Sequence, residues 1–393
     1  AHGSLDKSPK FEIRTFSTMT SDLEELSSWL KKYKVTTIGM ESTGVYWKPI
    51  FNIMEGEFTI VLANAQHLKS IPRKKTDIMD CMRIARLLRY GLLPNSFIPP
   101  REIRELRDLN RTRRKLVGMM TSEKNRLTKV LESANIKLSS VVSKISGVSS
   151  LAMIRSLLEK DKLSKEEIAQ LAKGSLKKKV DQLDKALNGK ITDHHRFLLK
   201  MHMENIDHLA KQIKKIDEEI KRKMIPFQTE AKLIQTIPGI SEVSASAIIS
   251  EIGVNMSQFP DEGHISSWAG LCPGNNESAG KKKSGKTQKG NSSLKATLVE
   301  AAWAASKTKG SSYSAFYHNI VKRRGKKRAL VALAHRMLTD IYSVLKTKEP
   351  YQDTGAEATN EIARKRKERS MIRSLEKAGY SVVKTSVAEM AVA

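Results

Sequence analysis

The fold of the first hundred residues is decided by VTTIGMESTG, residues 35–44. Its apolar, β-branched run over 35–40 ends at Glu41, and a predicted helix over 45–55 leads to a second apolar run, FTIVLAN, over 58–64. Strand–helix–strand alternation at this spacing predicts an α/β sheet with parallel pairing. Outward from it, the alternation over 10–18 predicts a further strand, and helices are predicted over 20–33 and 76–90.

Beyond Pro100 the sequence pattern is helical. Residues 101–135 predict one long basic helix, and residues 192–224 predict a second, with a Lys/Ser-rich helical stretch over 139–190 between them. The second helix carries apolar residues at the alternating 3,4 spacing of a coiled-coil seam, namely Ile206, Leu209, Ile213, Ile216 and Ile220. This arrangement predicts an antiparallel helical hairpin that can dimerise.

After Pro226 the sequence predicts short helices separated by Gly and Pro, and residues 355–370 are predicted to be a mobile basic connector. The resulting domain boundaries are 5–100 for the α/β domain, 101–225 for the helical coiled-coil arm, 226–355 for a mostly helical domain and 356–393 for a basic C-terminal segment.

The composition favours a polyanionic partner. The 393 residues include 70 Lys and Arg against 42 Asp and Glu, a net charge of +28, distributed as +4 over 1–100, +13 over 101–225 and +11 over 226–393. Nucleic acid is the simplest such partner, and a solubilising basic surface is the alternative. The two cysteines, Cys81 and Cys272, exclude a disulfide scaffold and a paired zinc motif. The absence of a spanning apolar run and of a signal peptide predicts a soluble protein of a reducing compartment, without a membrane partner.

Three carboxylates are candidate metal ligands. Glu41 stands at the carboxyl end of a predicted strand, and Asp77 and Asp80 are three residues apart at a helix start, so the two aspartates share a face. Hard oxygen ligands of this kind suit Mg²⁺, which supports phosphodiester chemistry. The alternative is helix capping, because acidic residues after Thr76 stabilise any helix start.

Two turns carry further candidate residues. In Leu233–Ile240 a Pro-Gly turn at Gly239 between two helices predicts a helix–hairpin–helix whose amides contact a phosphate, or else an ordinary turn. Ser278 lies in a glycine-flanked loop that precedes KKKSGKTQKG, residues 281–290. Its hydroxyl could attack phosphorus while the lysines neutralise the backbone; a flexible, inert basic loop is the alternative.

Several cations are predicted to bind nucleic acid. They are Lys281, Lys282, Lys283, Lys286 and Lys289 in the serine loop, Arg323, Arg324, Lys326, Lys327 and Arg328 before the last apolar helix, and Arg111, Arg113 and Arg114 on the long basic helix. For the group at 323–328, a solvated helix start is the alternative.

Five segments together resemble the DEDD-type insertion-sequence transposases of bacteria, a family that includes bridge-RNA-guided recombinases and pilin-gene invertases. They are MESTGVYW (40–47), KTDIMD (75–80), IPGI (237–240), WAGLCPGNNESAGKKKSGKTQKGN (268–291) and RRGKKRALVALAH (323–335). The resemblance implies a RuvC-like ribonuclease-H-fold domain, a coiled-coil middle and a C-terminal transposase domain. By motif, Glu41, Asp77 and Asp80 resemble the second, third and fourth acidic residues, and Ser278 resembles the nucleophilic serine.

The resemblance also implies a mechanism and partners. The expected enzyme cuts and rejoins donor and target DNA with Mg²⁺ and the serine, is guided by a structured bridge RNA, and works in the bacterial cytoplasm as a homodimer or homotetramer. A composite site between protomers is expected, since the serine and the carboxylates are far apart in sequence. Two other hypotheses stay open: a RuvC-like junction-resolving nuclease without a covalent intermediate, and an architectural nucleic-acid binder.

One motif of the family has no counterpart in the sequence. The family's first acidic residue is an Asp on the first strand, in a GIDV-like stretch, and nothing here matches it. The expected sheet therefore lacks its first strand. The opening Ala1-His2-Gly3-Ser4, without Met, is expected to mark a trimmed terminus.

Overall fold

A computed structural model describes residues 10–42, 44–63, 76–93, 95–274, 276–278, 281–284 and 286–383, with the backbone alone described between 276 and 284. The opening tetrapeptide lies outside these residues. The chain divides into two compact units at the bond between Pro99 and Pro100. The domain boundaries predicted near residues 225 and 355 both fall inside the second unit. In the described part of the chain, no helix combines the length and the apolar character that a membrane span requires.

The first unit contains helices and a small parallel sheet. Its elements are α1 (Thr20–Lys32), β1 (Thr37–Glu41), α2 (Trp47–Met54), β2 (Thr59–Ala63) and α3 (Asp77–Arg89). Strands β1 and β2 pair in parallel, with Thr37 opposite Thr59 and Glu41 opposite Ala63. The predicted α/β organisation with parallel pairing is therefore confirmed. The described residues show these two strands of the sheet, and the complete ribonuclease-H arrangement stays a prediction.

The strand predicted over residues 10–18 is wrong. Residues 11–17 form no strand, and three of their side chains contact α1 or the residue that follows it. The Phe16 ring lies 5.6 Å from that of Trp29 between centroids, Arg14 pairs with Glu25, and the Tyr33 hydroxyl donates to Glu12 at 2.8 Å. The apolar residues of this segment therefore do not share one partner: Phe16 contacts Trp29, the Phe11 ring lies under Arg86 of the later helix Asp77–Arg89, and Ile13 is exposed.

Gly39 is a point of close packing between β1 and α3. A Cβ atom at this position would lie 3.0 Å from Ile84 Cγ2 and 3.0 Å from Leu93 Cδ2. Ile84 and Leu88 of α3, together with Leu93, pack around the buried Ala63 of β2. The glycine thus allows the helix that carries Asp77 and Asp80 to pack directly on the strand that ends at Glu41.

The second unit is largely helical. Its α-helices are α4 (Arg101–Ser133), α5 (Leu138–Val141), α6 (Val148–Glu159), α7 (Lys165–Leu171), α8 (Val180–Leu187), α9 (Asp193–Met224), α10 (Gln228–Gln235), α11 (Glu242–Ile252), α12 (Glu262–Trp268), α13 (Ser292–Ala305), α14 (Ser312–Arg324), α15 (Lys326–Thr347) and α16 (Gly355–Lys377). Its described residues also form three 3₁₀ turns (Gly174–Lys179, Ile225–Phe227 and Met256–Gln258) and one hairpin, β3 (Asn276–Ser278) with β4 (Lys281–Ser284).

The long helices α4 and α9 pack against each other in antiparallel fashion. Lys223 Nζ contacts Glu105 at 2.7 Å near one end, and His202 Nδ1 contacts Glu123 at 2.8 Å further along. The apolar stripe of α9 is buried within the chain at four of its five positions, Ile206, Leu209, Ile213 and Ile220. The predicted seam is therefore covered by the chain itself, and a dimer would need another surface.

The C-terminal segment differs from its prediction. Residues 355–370 were expected to be a mobile connector, whereas Gly355–Lys377 forms the regular helix α16. The segment is rich in Ala, Glu, Arg and Lys, which are strong helix formers. Its first turns are held in place: Ala356 N donates to Gly310 O at 3.0 Å, and the Thr359 side chain is buried.

Candidate functional site

Ser278 lies at the closed end of a β-hairpin. In the β3–β4 pair Ser278 stands opposite Lys281. The pairing continues below it: Gly274 N donates to Lys286 O at 2.9 Å, and Pro273 bridges to Thr287. The serine and its neighbouring lysines are thus presented at the tip of a two-stranded stem. The side chains of Ser278, Lys281, Lys282 and Lys283 lie outside the described residues, and their roles stay predictions.

Two glycines cross at the base of this stem. A Cβ atom on Gly290 would lie 2.3 Å from Gly270 N and 2.6 Å from the carbonyl carbon of Ala269. Gly270 itself has a φ of +70°, a conformation that side chains disfavour. Lys295 of α13 donates to Gly270 O at 3.0 Å and also to the Thr287 hydroxyl. The two strands are therefore fixed to each other and to the helical body where they leave it.

A buried carboxylate, Glu251, connects the hairpin base to α4. Asn291, which follows the hairpin and caps α13, donates to Glu251 Oε2 at 2.7 Å. Arg111 donates to both oxygens of the same carboxylate, at 2.7 and 2.8 Å, and Arg107 Nε lies 3.2 Å from it. Sequence reasoning missed this residue, although a Glu close to the apolar residues Ile248, Ile249 and Ile252 was a signal.

The charge of Glu251 is retained despite its burial. Burial alone would raise the pKa of Glu251, but the hydrogen bonds of Arg111 and Asn291 and the charge of Arg107 hold it below its ordinary value. Burial also lowers the pKa of Arg107 to about 10, against the raising effect of Glu251. Both groups remain ionised at neutral pH, so a charged cluster ties three elements together.

The arginines predicted to bind nucleic acid on α4 have partners within the chain. Arg111 pairs with Glu251, and Arg113 pairs with Asp217 of α9. Arg114 donates to Ser293 O at 3.1 Å and to Glu300 Oε1 at 3.0 Å, both on α13. The observed role of these guanidinium groups is to hold the helices of the second unit together, and a nucleic-acid contact by them stays a prediction.

Gly239 lies in the turn between α10 and α11, as the helix–hairpin–helix pattern predicted. Its φ is +89°, and a Cβ atom there would lie 2.4 Å from Ala301 O and 2.8 Å from Ala305 N of α13. Close packing on α13 is therefore sufficient to explain this glycine. A phosphate contact by the turn stays a prediction.

The remaining predicted cations are accessible. Lys286 and Lys289 are exposed on the returning strand of the stem, and Arg323, Arg324, Lys326, Lys327 and Arg328 are exposed where α14 ends and α15 begins. The last three occupy the first turn of α15, which contains no acidic residue. Cations near a helix N-terminus are opposed by the helix dipole, typically by about 0.3–1 kcal/mol each. Helix stability alone therefore does not account for them.

Cys272 and His335 form a pair that the sequence did not indicate. The Cys272 Sγ lies 3.8 Å from His335 Nε2 of α15, at the base of the hairpin. Burial raises the pKa of the Cys272 thiol and lowers the pKa of His335. Both groups are therefore neutral at pH 7, which argues against an activated thiolate at this position.

The candidate metal ligands lie in the first unit. Glu41 is half-buried at the end of β1, and Asp77 and Asp80 are exposed in the first turn of α3. Thr76 caps this helix by accepting a hydrogen bond from Met79 N at 3.3 Å, so the capping alternative is also realised. Within the described ranges, no three acidic, histidine or cysteine side chains form a group that could hold a metal ion. The donor chemistry suits Mg²⁺, whereas convergence of the three carboxylates stays a prediction.

Known proteins share both units. The family described as Transposase IS116/IS110/IS902 matches residues 231–318, and a family of DEDD transposases of the IS110 type matches residues 6–136. Both families consist of transposases, and together they cover more than half of the chain. The chain therefore belongs to the IS110 family of transposases.

Individual relatives agree with this membership. The transposase for insertion sequence element IS1111A of Coxiella burnetii is 29% identical over 140 residues, which is 35% of this chain and 38% of the relative. The pilin gene-inverting proteins of Moraxella bovis and Moraxella lacunata are each 27% identical over 155 residues, 38% of this chain and 48% of either relative. The matches thus span less than half of the length of each relative.

Proposed function

We propose that the chain is a DNA recombinase of a bacterial insertion sequence that cuts and rejoins strands through Ser278. The observation that carries this proposal is the position of Ser278 at the tip of a hairpin whose base is fixed at Gly270, Gly290 and Lys295. A nucleophile must be held in a defined place while its surroundings admit a polymer backbone. A projecting tip on an anchored stem meets both needs.

The proposed reaction is a transesterification. The Ser278 oxygen attacks a backbone phosphorus, a new O–P bond forms, and one P–O ester bond to the sugar breaks. The departing sugar oxygen takes up a proton, and the serine hydroxyl gives one up, so the strand is held as a phosphoserine ester. Attack by another sugar hydroxyl on this ester releases the serine and rejoins DNA. Lys281, Lys282 and Lys283 neutralise the phosphates at the tip.

Glu41, Asp77 and Asp80 are proposed to hold Mg²⁺ in a RuvC-like domain. When bound, the ion would stabilise charge on the phosphate oxygens during strand cleavage. The chain contributes two carboxylates on one face of α3 and a third on the strand against which α3 packs. Calorimetric titration of the protein with Mg²⁺ tests this assignment. The heat of binding is expected to fall in Asp77→Asn/Asp80→Asn and to persist in the matched change Asp22→Asn on α1.

The proposed partners are donor DNA, target DNA and a structured bridge RNA, and the proposed assembly is a homodimer or homotetramer. The charge of +24 over residues 101–393 is sufficient for a partner larger than one duplex, and the family resemblance supports a guide RNA. Sequencing of RNA that copurifies with the protein tests the guide. One discrete species encoded beside the gene is expected, and a random mixture of cellular RNA would contradict it.

Trapping of covalent adducts tests the serine. Protein from cells that carry the gene with its flanking DNA is denatured, digested with nuclease and examined for attached nucleotides on a denaturing gel. Ser278→Ala should abolish the adduct, whereas the control Ser284→Ala, on the partner strand of the same hairpin, should retain it. Adducts that persist in Ser278→Ala would rule out this nucleophile.

The competing function is a Mg²⁺-dependent junction-resolving nuclease. The match to DEDD transposases over residues 6–136 and the paired aspartates on α3 favour it over a purely architectural role. It predicts strand cleavage that requires Asp77 and Asp80, with no covalent adduct at any stage. The same gel therefore separates the two functions, and an architectural binder would show neither cleavage nor adduct.

A further inference from the structure

Two basic segments of the second unit are distant in sequence and are joined by the packing of α14 and α16. At the N-terminal end of α16, Ala356 N donates to Gly310 O, just before α14. Further along, Asn319 of α14 donates to Asn360 of α16 at 3.0 Å. The contacts advance in the same direction on both helices, so the two helices run roughly parallel.

Both helices become basic about one turn beyond this pair of asparagines. On α14 the basic residues are Lys322, Arg323 and Arg324, and on α16 they are Arg364, Lys365, Arg366 and Lys367. Gly325, with a φ of +77°, then reverses the chain into the first turn of α15, where three more cations are exposed. We call the residues 322–328 and 364–377 the C-terminal basic surface.

The outer part of α16 presents a separate stripe of cations. Arg366, Arg369, Arg373 and Lys377 are all exposed, and at 3.6 residues per turn they lie within a sector of about 80°. Met371 and Leu375 lie on the other side of the helix and are also exposed. The buried side chain of α16 is that of Thr359 in its first turns, and residues 366–377 are exposed or half-buried.

The dimensions of this helix favour one kind of polyanion. An α-helix with its side chains is roughly 10–12 Å across, and the major groove of B-form DNA is about 12 Å wide. The major groove of an RNA duplex is deep and narrow, and side chains do not read it. A helix with a stripe of exposed cations therefore suits duplex DNA better than duplex RNA.

We propose that the C-terminal basic surface is a docking site for duplex DNA, with the striped part of α16 in the major groove and residues 322–328 on the adjoining phosphates. The inference rests on the proposed function only in taking DNA as the substrate. It assigns an ordered binding element to a segment that sequence reasoning had treated as a connector.

The test compares two sets of four substitutions in the full chain. The first changes Arg366, Arg369, Arg373 and Lys377 to Gln, and the control changes Lys211, Lys214, Lys215 and Lys221 of α9 to Gln, which removes the same charge from another exposed helix face. Gln has nearly the helix propensity of Lys and Arg, and circular dichroism verifies that both proteins are folded. Affinity for a random-sequence duplex of about three helical turns is measured at several salt concentrations, in EDTA.

The expected result concerns the salt dependence of binding. Each phosphate contact contributes about 0.9 to the slope of log K against log salt, so the first variant should lower the slope by about 3 to 4. The control should keep the slope within about 1 of the wild type. Equal slopes for the two variants, or a wild type that does not bind the duplex, would overturn the proposal.

Two further comparisons complete the test. If the first variant loses affinity for an RNA hairpin and keeps its affinity for duplex DNA, the surface binds RNA and the proposal is wrong. Because EDTA prevents Mg²⁺-dependent cleavage, this measurement does not depend on catalysis. A failure to detect phosphoserine adducts would count against the proposed function and would leave this result unchanged.

Discussion

Glu251 is the buried carboxylate on which the base of the serine hairpin depends, and Glu251→Ala tests that dependence. The side chain is 2% exposed, whereas its partners Arg107 and Arg111 are 16% and 44% exposed. Removal of one partner of a buried ion pair typically costs about 3–5 kcal/mol. Arg107 keeps hydrogen bonds to the carbonyl oxygens of residues 250 and 251, and Arg111 can be hydrated. The expected loss is therefore near the lower end, about 3 kcal/mol.

Urea unfolding followed by tryptophan fluorescence measures this loss, since Trp268 and Trp303 lie on either side of the hairpin in sequence. The matched control is Glu300→Ala, whose side chain is 76% exposed and pairs with Arg114. An exposed pair contributes at most about 1 kcal/mol. If the two variants lose the same free energy of unfolding, or if Glu251→Ala loses less than about 1 kcal/mol, the buried cluster does not anchor the hairpin.

Three further predictions concern the same unit. Folding lowers the pKa of Glu251. The stabilisation that its ionised carboxylate gives the folded state is therefore fully present above its unfolded pKa of about 4.3 and is lost as the pH falls through the folded pKa. The difference in unfolding free energy between wild type and Glu251→Gln should accordingly shrink in urea titrations below about pH 4. Gly290→Ala places a Cβ atom against the backbone of Gly270 and should abolish the Ser278 adduct on a denaturing gel while circular dichroism stays unchanged, whereas the control Gly118→Ala in helix α4, with open space at its Cβ position, should retain the adduct. Tyr313→Phe removes a buried hydroxyl that donates to Asp340 at 2.6 Å, so calorimetry should show a loss of about 1–3 kcal/mol; a variant as stable as the wild type would contradict this.

The spacing of apolar residues correctly predicted those helices and strands that pack one apolar face against another part of the chain. The long helix α9 followed from a 3,4 spacing that is buried at four of its five positions, and the two strands followed from apolar runs at the expected separation. Residues 10–18 show the limit of this reasoning. An alternating segment can satisfy its pattern against a helix, as Phe16 does against Trp29, and periodicity alone does not distinguish the two surroundings.

In the candidate site, too, residues placed by short-range signals could be predicted and contacts made by tertiary packing could not. Glu41, Asp77 and Asp80 were placed at a strand end and a helix start because short-range signals such as the Thr76 cap define those ends. The Glu251 ion pairs could not be derived, because Arg107 and Arg111 are about 140 residues from Glu251 in sequence and meet it through the packing of α4 on α11. Ion pairs between residues this far apart form through tertiary packing, and local sequence patterns do not predict them.

The positions of the positive charges in the structure therefore indicate a different site for nucleic-acid binding than the number of charges in each sequence segment does. By count, the segment 101–225 carries the largest excess, and Arg111, Arg113 and Arg114 were its natural contacts with nucleic acid. In the structure these three arginines form ion pairs with Glu251, Asp217 and Glu300, respectively. Dense groups of exposed cations include those of residues 322–328 and of α16. A polyanion attracted by the net charge would meet a low desolvation cost at these exposed cations. At α4 it would have to compete with Glu251, Asp217 and Glu300 for the arginine side chains. The strongest binding of duplex DNA by this unit is accordingly expected at its C-terminal end.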